Sequence, residues 1–175
     1  MLRFFATFVG LQALLFGLEL TPWAQQYIVA PWTGALAAIS AWIVTVVDPH
    51  VVATGNLLRS TVNGFAVAIE AGCNGVEATI VLIAAMLAFP ASWRSRLMGL
   101  AAGIIAVQGL NIVRVISLFY LGQWDLRIFE WAHLYVWQAL IMLDVLVVWL
   151  VWVRLLPHDA PGRPGGPVGS APASA

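Results

Sequence analysis

The chain contains no lysine, little charge of either sign and a single cysteine. Only 9% of its 175 residues are charged, 62% are hydrophobic, and the formal net charge is zero. Soluble domains usually carry about 25% charged residues, so this composition cannot supply a water-facing surface. Without a basic excess, the chain is not expected to bind nucleic acid. One cysteine excludes an internal disulfide and leaves the thiol either structural or reactive.

Long apolar runs dominate what is present, and the mean hydropathy is +0.92. Several runs approach or exceed the ~18 residues typical of a membrane span. Because backbone polar groups must be satisfied internally in lipid, these runs predict helices, and their continuity argues against a β-barrel. We therefore predict an all-α, polytopic transmembrane helical bundle of about five spans, covering Leu2–Leu18, Tyr27–Val47, Gly75–Phe89, Leu97–Leu121 and Ala132–Arg154.

Between the second and third spans, residues 48–74 interrupt the apolar pattern with polar and turn-forming residues. We expect a short extracytoplasmic segment here, with an extended piece over Gly64–Ile69 that forms a small hairpin. Trp32 and Trp42 in the second span are predicted to anchor it at the membrane interface. Residues 1–156 would form the membrane domain. Residues 157–175, rich in Pro, Gly and Ala, are predicted to be a disordered tail.

The arginines give a divided prediction of orientation. Arg94 and Arg96 lie in a short turn, and Arg154 closes the last helix. The positive-inside rule places all three in the cytoplasm. Five spans would then put Arg3 and Arg59 on the outer side, so the position of the N-terminus stays open.

Three polar residues fall at helix ends that an up-and-down bundle brings to one face. Cys73 precedes the third helix, Arg114 lies toward the end of the fourth, and His133 opens the fifth. Each has an ordinary structural interpretation, the cysteine as an apolar filler and the histidine as an interface residue. An arginine flanked by valines in an apolar helix is harder to explain, because burying it without a partner costs at least ~2.5 kcal/mol.

These residue types together suit cysteine-based acyl transfer. A thiol attacks a carbonyl only as thiolate, so it needs a base or a cation beside it. His133 could take and return the proton, and Arg114 could stabilise a thiolate or an oxyanion. Side chains that could orient the histidine or pair with the arginine, or that lie on the same polar sector as Arg114, are Glu70, Asn74, Glu77, Asn111 and Glu130.

No cofactor is expected from the sequence. With one cysteine and three histidines, one of them in the tail, a closed zinc site cannot easily be assembled. Two alternatives to an enzyme stay open. One is a non-catalytic membrane assembly subunit with Arg114 in a structural polar network. The other is a small transporter whose polar path would use Gln108, Asn111, Arg114 and Asp144.

Three motifs resemble the exosortase/archaeosortase family: Glu-x-x-Cys-Asn-Gly-Val-Glu at 70–77, Asn-x-x-Arg-Val at 111–115, and Ala-His-x-x-x-Trp at 132–137. The turn Phe-Pro-Ala-Ser-Trp-Arg at 89–94 is most similar to exosortase H. The resemblance covers roughly residues 20 to 156. Its catalytic cysteine, arginine and histidine correspond to Cys73, Arg114 and His133.

The resemblance implies a bacterial inner-membrane cysteine peptidase or transpeptidase with its site on the outer face. Its partners would be membrane-anchored substrate proteins with a C-terminal sorting signal. That signal consists of a short motif, Ile-Pro-Thr-Leu in exosortase H, then a transmembrane helix and a basic end. The family's common Cys-Ser-Gly reads Cys-Asn-Gly at residues 73–75, so a role for a serine hydroxyl does not carry over.

Overall fold

The computed structural model describes residues 2–156, so the predicted tail at 157–175 lies outside the described residues. The described part of the chain forms five helices and three strands in the order α1, α2, β1, β2, β3, α3, α4, α5. The helices are α1 Leu2–Glu19, α2 Pro22–Val44, α3 Val76–Ala88, α4 Trp93–Trp124 and α5 Leu126–Leu155. The strands are β1 Val51–Thr54, β2 Leu57–Ser60 and β3 Ala66–Ala68.

The predicted fold class is confirmed. Among residues 2–156, four helices are long and apolar enough to cross a membrane, and α3 is a shorter apolar helix of 13 residues. At 1.5 Å per residue α3 is about 20 Å long, less than the ~30 Å hydrocarbon core. It packs against α1, α4 and α5, and Leu82, Ala84 and Met86 are fully buried. Neighbouring helices cover α3, so many of its apolar side chains are buried against protein and do not face lipid.

Helices α2 and α5 begin earlier than predicted. Each of them starts after a capping residue that precedes the apolar run, and each contains a distorted turn. α2 begins at Pro22, and the Thr21 hydroxyl caps it by accepting from the Ala24 N–H. α5 begins at Leu126, capped by the Asp125 carboxylate. Both helices contain a π-helical turn, at Gln25–Val29 and at Ala132–Val136. Neither a hydropathy window nor a heptad pattern predicts a π-helical turn.

The segment between α2 and α3 forms a three-stranded antiparallel sheet in the order β1-β2-β3, one strand more than the predicted hairpin. Val51, Leu58 and Ile69 on this sheet share a buried cluster with Leu36 and Phe119. Phe65 packs over Gly122 near the end of α4, and the Asn63 amide donates to Gln123 Oε1 at 2.8 Å. The sheet therefore lies along the second half of α4.

α2 packs chiefly on β1, β2 and α4. At the other end of the molecule, Phe4 of α1 contacts Phe89 and Trp149, and the Trp152 indole donates to the Ser95 carbonyl at 3.0 Å. These contacts gather four arginines at what we call the arginine end: Arg3, Arg94, Arg96 and Arg154. The expectation that Arg3 lies opposite Arg94 is thus wrong, because α2 runs beside the sheet and does not return to the arginine end.

Candidate active site

Cys73 lies in a tight loop that leads into α3. The Cys73 N–H donates to the Glu70 carbonyl at 2.9 Å, which closes a turn. Gly72 and Gly75 on either side adopt φ of 83° and 72°, a left-handed conformation that favours glycine. The Asn74 side chain then accepts from the Val76 N–H at 3.0 Å, at the first residue of α3. The loop geometry thus holds the thiol at the N-terminal end of α3.

Helix α2 braces this loop from one side. The Asn74 amide donates to the Thr33 hydroxyl at 3.2 Å, and the Trp32 indole donates to the Asn74 carbonyl at 3.2 Å. Asn74 is fully buried, and its bond to Thr33 is shielded from solvent. Trp32, predicted as an interface anchor, is half-buried and supports the loop instead. Trp42 is 72% exposed, as an interface side chain would be.

Helix α4 braces the loop from the other side. Gln108 donates to the Gly75 carbonyl at 3.1 Å and to the Thr79 hydroxyl at 3.0 Å. A Cβ added at Gly75 would lie 2.9 Å from Gln108 Oε1 and 3.1 Å from Asn111 Nδ2. Gly75 is therefore required both by its backbone conformation and by the close approach of α4.

The three predicted side chains meet at this loop. Cys73 Sγ lies 3.1 Å from His133 Nε2, and Arg114 Nη2 donates to the same sulfur at 3.5 Å. The sulfur is thus the common partner of an imidazole and a guanidinium that come from α5 and α4. We refer to this end of the bundle as the site end.

Arg114 is 2% exposed and stands out for the partners it lacks. Within the described residues, its only side-chain hydrogen bond goes to Cys73 Sγ, and its buried Nε has none. Buried charges in proteins are usually paired and fully hydrogen-bonded. An arginine with open donors beside a thiol could stabilise negative charge that develops there.

His133 lies within the π-helical turn of α5, and its ring stacks on Phe129 with centroids 5.7 Å apart. π-Helical turns are rare and occur often at functional sites. Phe129 precedes His133 by four residues, a spacing that brings helical side chains together. The Phe129 ring thus covers one face of the His133 imidazole and holds it in place.

The pKa of the Cys73 thiol is raised, first because the side chain is partly buried and also because of Glu77 and Glu70; Arg114 acts in the opposite direction. A raised pKa keeps the resting sulfur protonated at neutral pH. A nucleophilic attack by this sulfur would therefore require removal of its proton, and the base that lies against the sulfur is His133 Nε2, at 3.1 Å.

None of the five supporting candidates hydrogen-bonds to His133 or to the Arg114 guanidinium in the described chain. Glu77 instead accepts from the Gly72 N–H, and Asn74 is engaged with Thr33 and Val76. Asn111 is fully buried, and neither polar atom of its side chain has a partner within residues 2–156. Glu70 and Glu130 are exposed. Glu77 and Asn74 therefore hold the loop and Glu70 and Glu130 face solvent, whereas Asn111 does neither.

A small cavity of about 90 Å³ opens beside the sulfur. Its lining comes from the β3 region, the cysteine loop, α4 and α5: Val67, Ala68, Ile69, Glu70, Cys73, Arg114, Val115, Leu118, Phe129 and His133. Asp144 is not part of this lining, which argues against a polar path that joins it to Arg114. In residues 2–156, no group of three or more His, Cys, Asp or Glu side chains is placed to hold a metal ion.

Thr33 and Phe129 contribute to the site although the sequence did not suggest them. Thr33 is 41 residues from Asn74, and no local pattern connects the two. Phe129 could have been found from its spacing to His133.

The arrangement of these motifs agrees with one family. The family model described as transmembrane exosortase matches residues 3–151. No curated protein and no solved structure matches the chain. The exosortase H subtype expected from the sequence is consistent with the family match, which spans all five helices except the last turn of α5. The chain belongs to the transmembrane exosortase family.

Proposed function

We propose that this exosortase is a membrane-embedded cysteine peptidase or transpeptidase that cleaves C-terminal sorting signals through an acyl-enzyme on Cys73. One observation carries the proposal: a single sulfur lies 3.1 Å from an imidazole nitrogen and 3.5 Å from a buried guanidinium. A structural arginine would be expected to pair with a carboxylate or with backbone carbonyls, whereas the guanidinium of Arg114 donates only to the thiol among residues 2–156.

In the acylation step, the neutral His133 Nε2 takes the proton from Cys73 Sγ as the sulfur attacks the scissile carbonyl carbon. The carbonyl oxygen becomes an oxyanion, and the Arg114 guanidinium stabilises its charge in a site that excludes most water. The C–N bond then breaks, and His133 returns its proton to the leaving amine. The product is a thioester on Cys73 and a released C-terminal fragment.

In the second step, water or an acceptor amine attacks the thioester, with His133 again as the base. Attack by water gives hydrolysis, and attack by an amine gives transpeptidation. Arg114 stabilises the second tetrahedral oxyanion as it did the first. Cys73 is restored with its proton, so the cycle needs no cofactor.

The substrates we propose are exported proteins with a C-terminal motif, a transmembrane helix and a basic end. The positive-inside rule supports an orientation with the arginine end in the cytoplasm of a bacterial inner membrane. Cys73 then faces the outer side, where an exported substrate would present its motif. The basic end of the substrate would lie on the cytoplasmic side, as its own charge requires.

The test uses the full-length protein in membranes with a reporter that ends in an Ile-Pro-Thr-Leu motif, an apolar span and a basic tail. Wild-type protein is expected to shorten the reporter. The Cys73→Ala variant should leave it intact, and a reporter without the motif should not be cut. A hydroxylamine-sensitive covalent adduct, detected by mass spectrometry, should map to Cys73. Undiminished cleavage by Cys73→Ala at normal expression would overturn the proposal.

A further inference from the structure

β3 is an edge strand, since β2 is its only neighbour in the sheet that residues 2–156 form. The pairing of Leu57 with Ala68 and of Arg59 with Ala66 fixes the register. The Ile69 N–H donates to the Asn56 carbonyl and the Ser60 N–H donates to the Phe65 carbonyl, both at 2.9 Å. Hydrogen-bonded pairs alternate in an antiparallel ladder, so the backbone groups of Ala66 and Ala68 point away from β2.

These outward groups are free in the described chain. Ala66 and Ala68 are both exposed, and within residues 2–156 their outward N–H and C=O groups have no hydrogen-bond partner. Proteins usually protect such an edge with a charge, a proline or a bulge. β3 is short, which limits pairing to a few residues, but Ala66, Val67 and Ala68 supply no charge, proline or bulge.

The free edge borders the cavity that holds the nucleophile. Val67, Ala68 and Ile69 line that cavity together with Cys73 and His133. A volume of about 90 Å³ equals that of roughly three waters, enough for a carbonyl and a short side chain. The rest of a bound polypeptide must therefore extend along the rim, and β3 forms one side of that rim.

We propose that β3 is the docking strand for an extended segment of the substrate, which pairs with Ala66 and Ala68 and so delivers its scissile carbonyl to Cys73. The inference deepens the proposed function and rests on it. The occupant is the polypeptide that precedes the substrate's membrane helix. An extended chain offers backbone groups to one side at every second residue, and the outward groups of Ala66 and Ala68 have this same spacing.

Backbone pairing of this kind gives affinity that does not depend on sequence. Selectivity would come from the small cavity, which admits only short side chains beside the scissile bond, and from Phe129, which also lines it.

The edge of β1 makes a matched control for the backbone groups of β3. The Thr61 N–H donates to the His50 carbonyl, so the alternation turns the Ala53 backbone outward in the same way, but on the far side of the sheet.

The first test is disulfide cross-linking in the full-length protein with the substitutions Cys73→Ser and Ala68→Cys, whose only thiol is at position 68. The reporter carries one cysteine at each successive position before its span. Cross-links at every second reporter position are expected. The control with Cys73→Ser and Thr54→Cys, whose exposed side chain lies on the same face of the sheet as Ala68 but on the far strand, should give none. A three-to-four-residue period, no cross-link across the scan, or homodimers that exclude the reporter would overturn the docking strand.

The second test is Ala68→Pro in the otherwise native chain, which removes one outward N–H and leaves the β2 ladder intact. Loss of one hydrogen bond predicts a rise in KM of several-fold to about ten-fold, with kcat nearly unchanged. Ala53→Pro should leave both constants unchanged, and maleimide labelling of Cys73 should stay normal in both variants. An unchanged KM for Ala68→Pro would contradict the proposal.

The two proposals fail separately. Because cross-linking is measured in proteins that carry Cys73→Ser, it reports docking whether or not the reporter is ever cleaved. If wild-type protein leaves the reporter intact while the two-residue pattern persists, the peptidase proposal fails and the docking strand stands. If cleavage depends on Cys73 while no pattern forms, the docking strand fails alone.

Discussion

The two ends of α4 each border a cavity, and the two cavities differ in almost every respect. At the arginine end, about 450 Å³ lies between α4 and α5, lined by Gly99, Gly103, Val148 and other mainly apolar residues. At the site end, about 90 Å³ lies beside a thiol, an imidazole and a guanidinium. The larger space has apolar walls but no reactive group. Cavity size alone would therefore point to the wrong end of the molecule.

Buried polarity follows the same division. Asn74, Gln108, Asn111 and Arg114 are all buried near the cysteine loop. At the arginine end, Phe4, Phe89, Trp149 and Trp152 pack as an aromatic cluster. Burying polar groups costs stability unless they are paired, whereas aromatic packing contributes to it. The arginine end thus stabilises the bundle, and the site end holds polar groups that chemistry can use.

Arg114→Gln should give the largest difference between the two ends. It removes the only cation beside the sulfur in the described chain, and loss of one oxyanion donor typically lowers kcat by about 10²–10³. Arg94→Gln, an exposed arginine at the other end, is the matched control and should keep near-normal turnover. Reporter cleavage by purified protein in liposomes measures both. Equal losses in the two variants would mean that arginines act only through membrane insertion.

Gly75→Ala should have the next largest effect. The new Cβ would meet Gln108 and Asn111, and the left-handed backbone would be strained as well. We expect a loss of about 1–3 kcal/mol and a displaced Cys73 loop. Thermal unfolding in detergent and maleimide labelling of Cys73 check this.

Gly10→Ala is the control for that substitution, since no atom lies within 4 Å of its added Cβ. Within helix α1 this change should be neutral or slightly stabilising. A Gly75→Ala protein as stable and as slowly labelled as wild type would show that the close packing around the loop is dispensable.

Much of the fold could be predicted from the sequence because the apolar runs are long and continuous. The helix count follows from these runs, and the gathering of Cys73, Arg114 and His133 follows because α3, α4 and α5 alternate in direction. The prediction found one extended piece and missed β1 and β2, although the two-residue turn Gly55-Asn56 between Val51–Thr54 and Leu57–Ser60 is a hairpin signal. The position of α2 could not be predicted, since an apolar helix packs equally well on a sheet or in lipid.

Supporting contacts were the least predictable part of the site. The carboxylates near Cys73 and His133 were assigned from proximity along the chain, yet Glu77 accepts from a loop N–H and Glu130 is exposed. The residues that hold the loop, Trp32 and Thr33, come from α2, and only the tertiary packing of α2 brings them there. Motif spacing predicted which side chains meet at the sulfur, whereas the groups that position them depend on the three-dimensional packing.

Substituting the charged residues around Cys73 should have a smaller effect. Removal of an acidic residue and removal of Arg114 should shift the pKa of the thiol in opposite directions. Burial is the main reason that the pKa of the thiol is raised, and among the nearby charges Arg114 lowers this pKa while Glu70 raises it. Glu70→Gln should therefore lower that pKa and speed iodoacetamide labelling at a fixed pH. Arg114→Gln should raise it and slow labelling. In each protein the rate should increase with pH until the thiol is fully ionised, so pH–rate profiles from about pH 6 to 10 measure the shift.

Glu130→Gln serves as the control in that series, because Glu130 is not among the groups that shift the Cys73 pKa. Its profile should superimpose on that of the native protein. Shifts of the same sign in Glu70→Gln and Arg114→Gln would show that accessibility, and not charge, governs the thiol.

Ala102→Leu should have the smallest effect and tests whether the larger cavity has any part in the reaction. Ala102 lines that cavity and is exposed, so a leucine would fill part of the space without displacing packed neighbours. Exposed substitutions usually change stability by less than about 0.5 kcal/mol, which corresponds to roughly two-fold in an equilibrium. We expect reporter cleavage within that range. A large rise in KM at normal stability would mean that the groove between α4 and α5 receives the substrate's membrane helix, and the division of labour between the two ends of α4 would no longer hold.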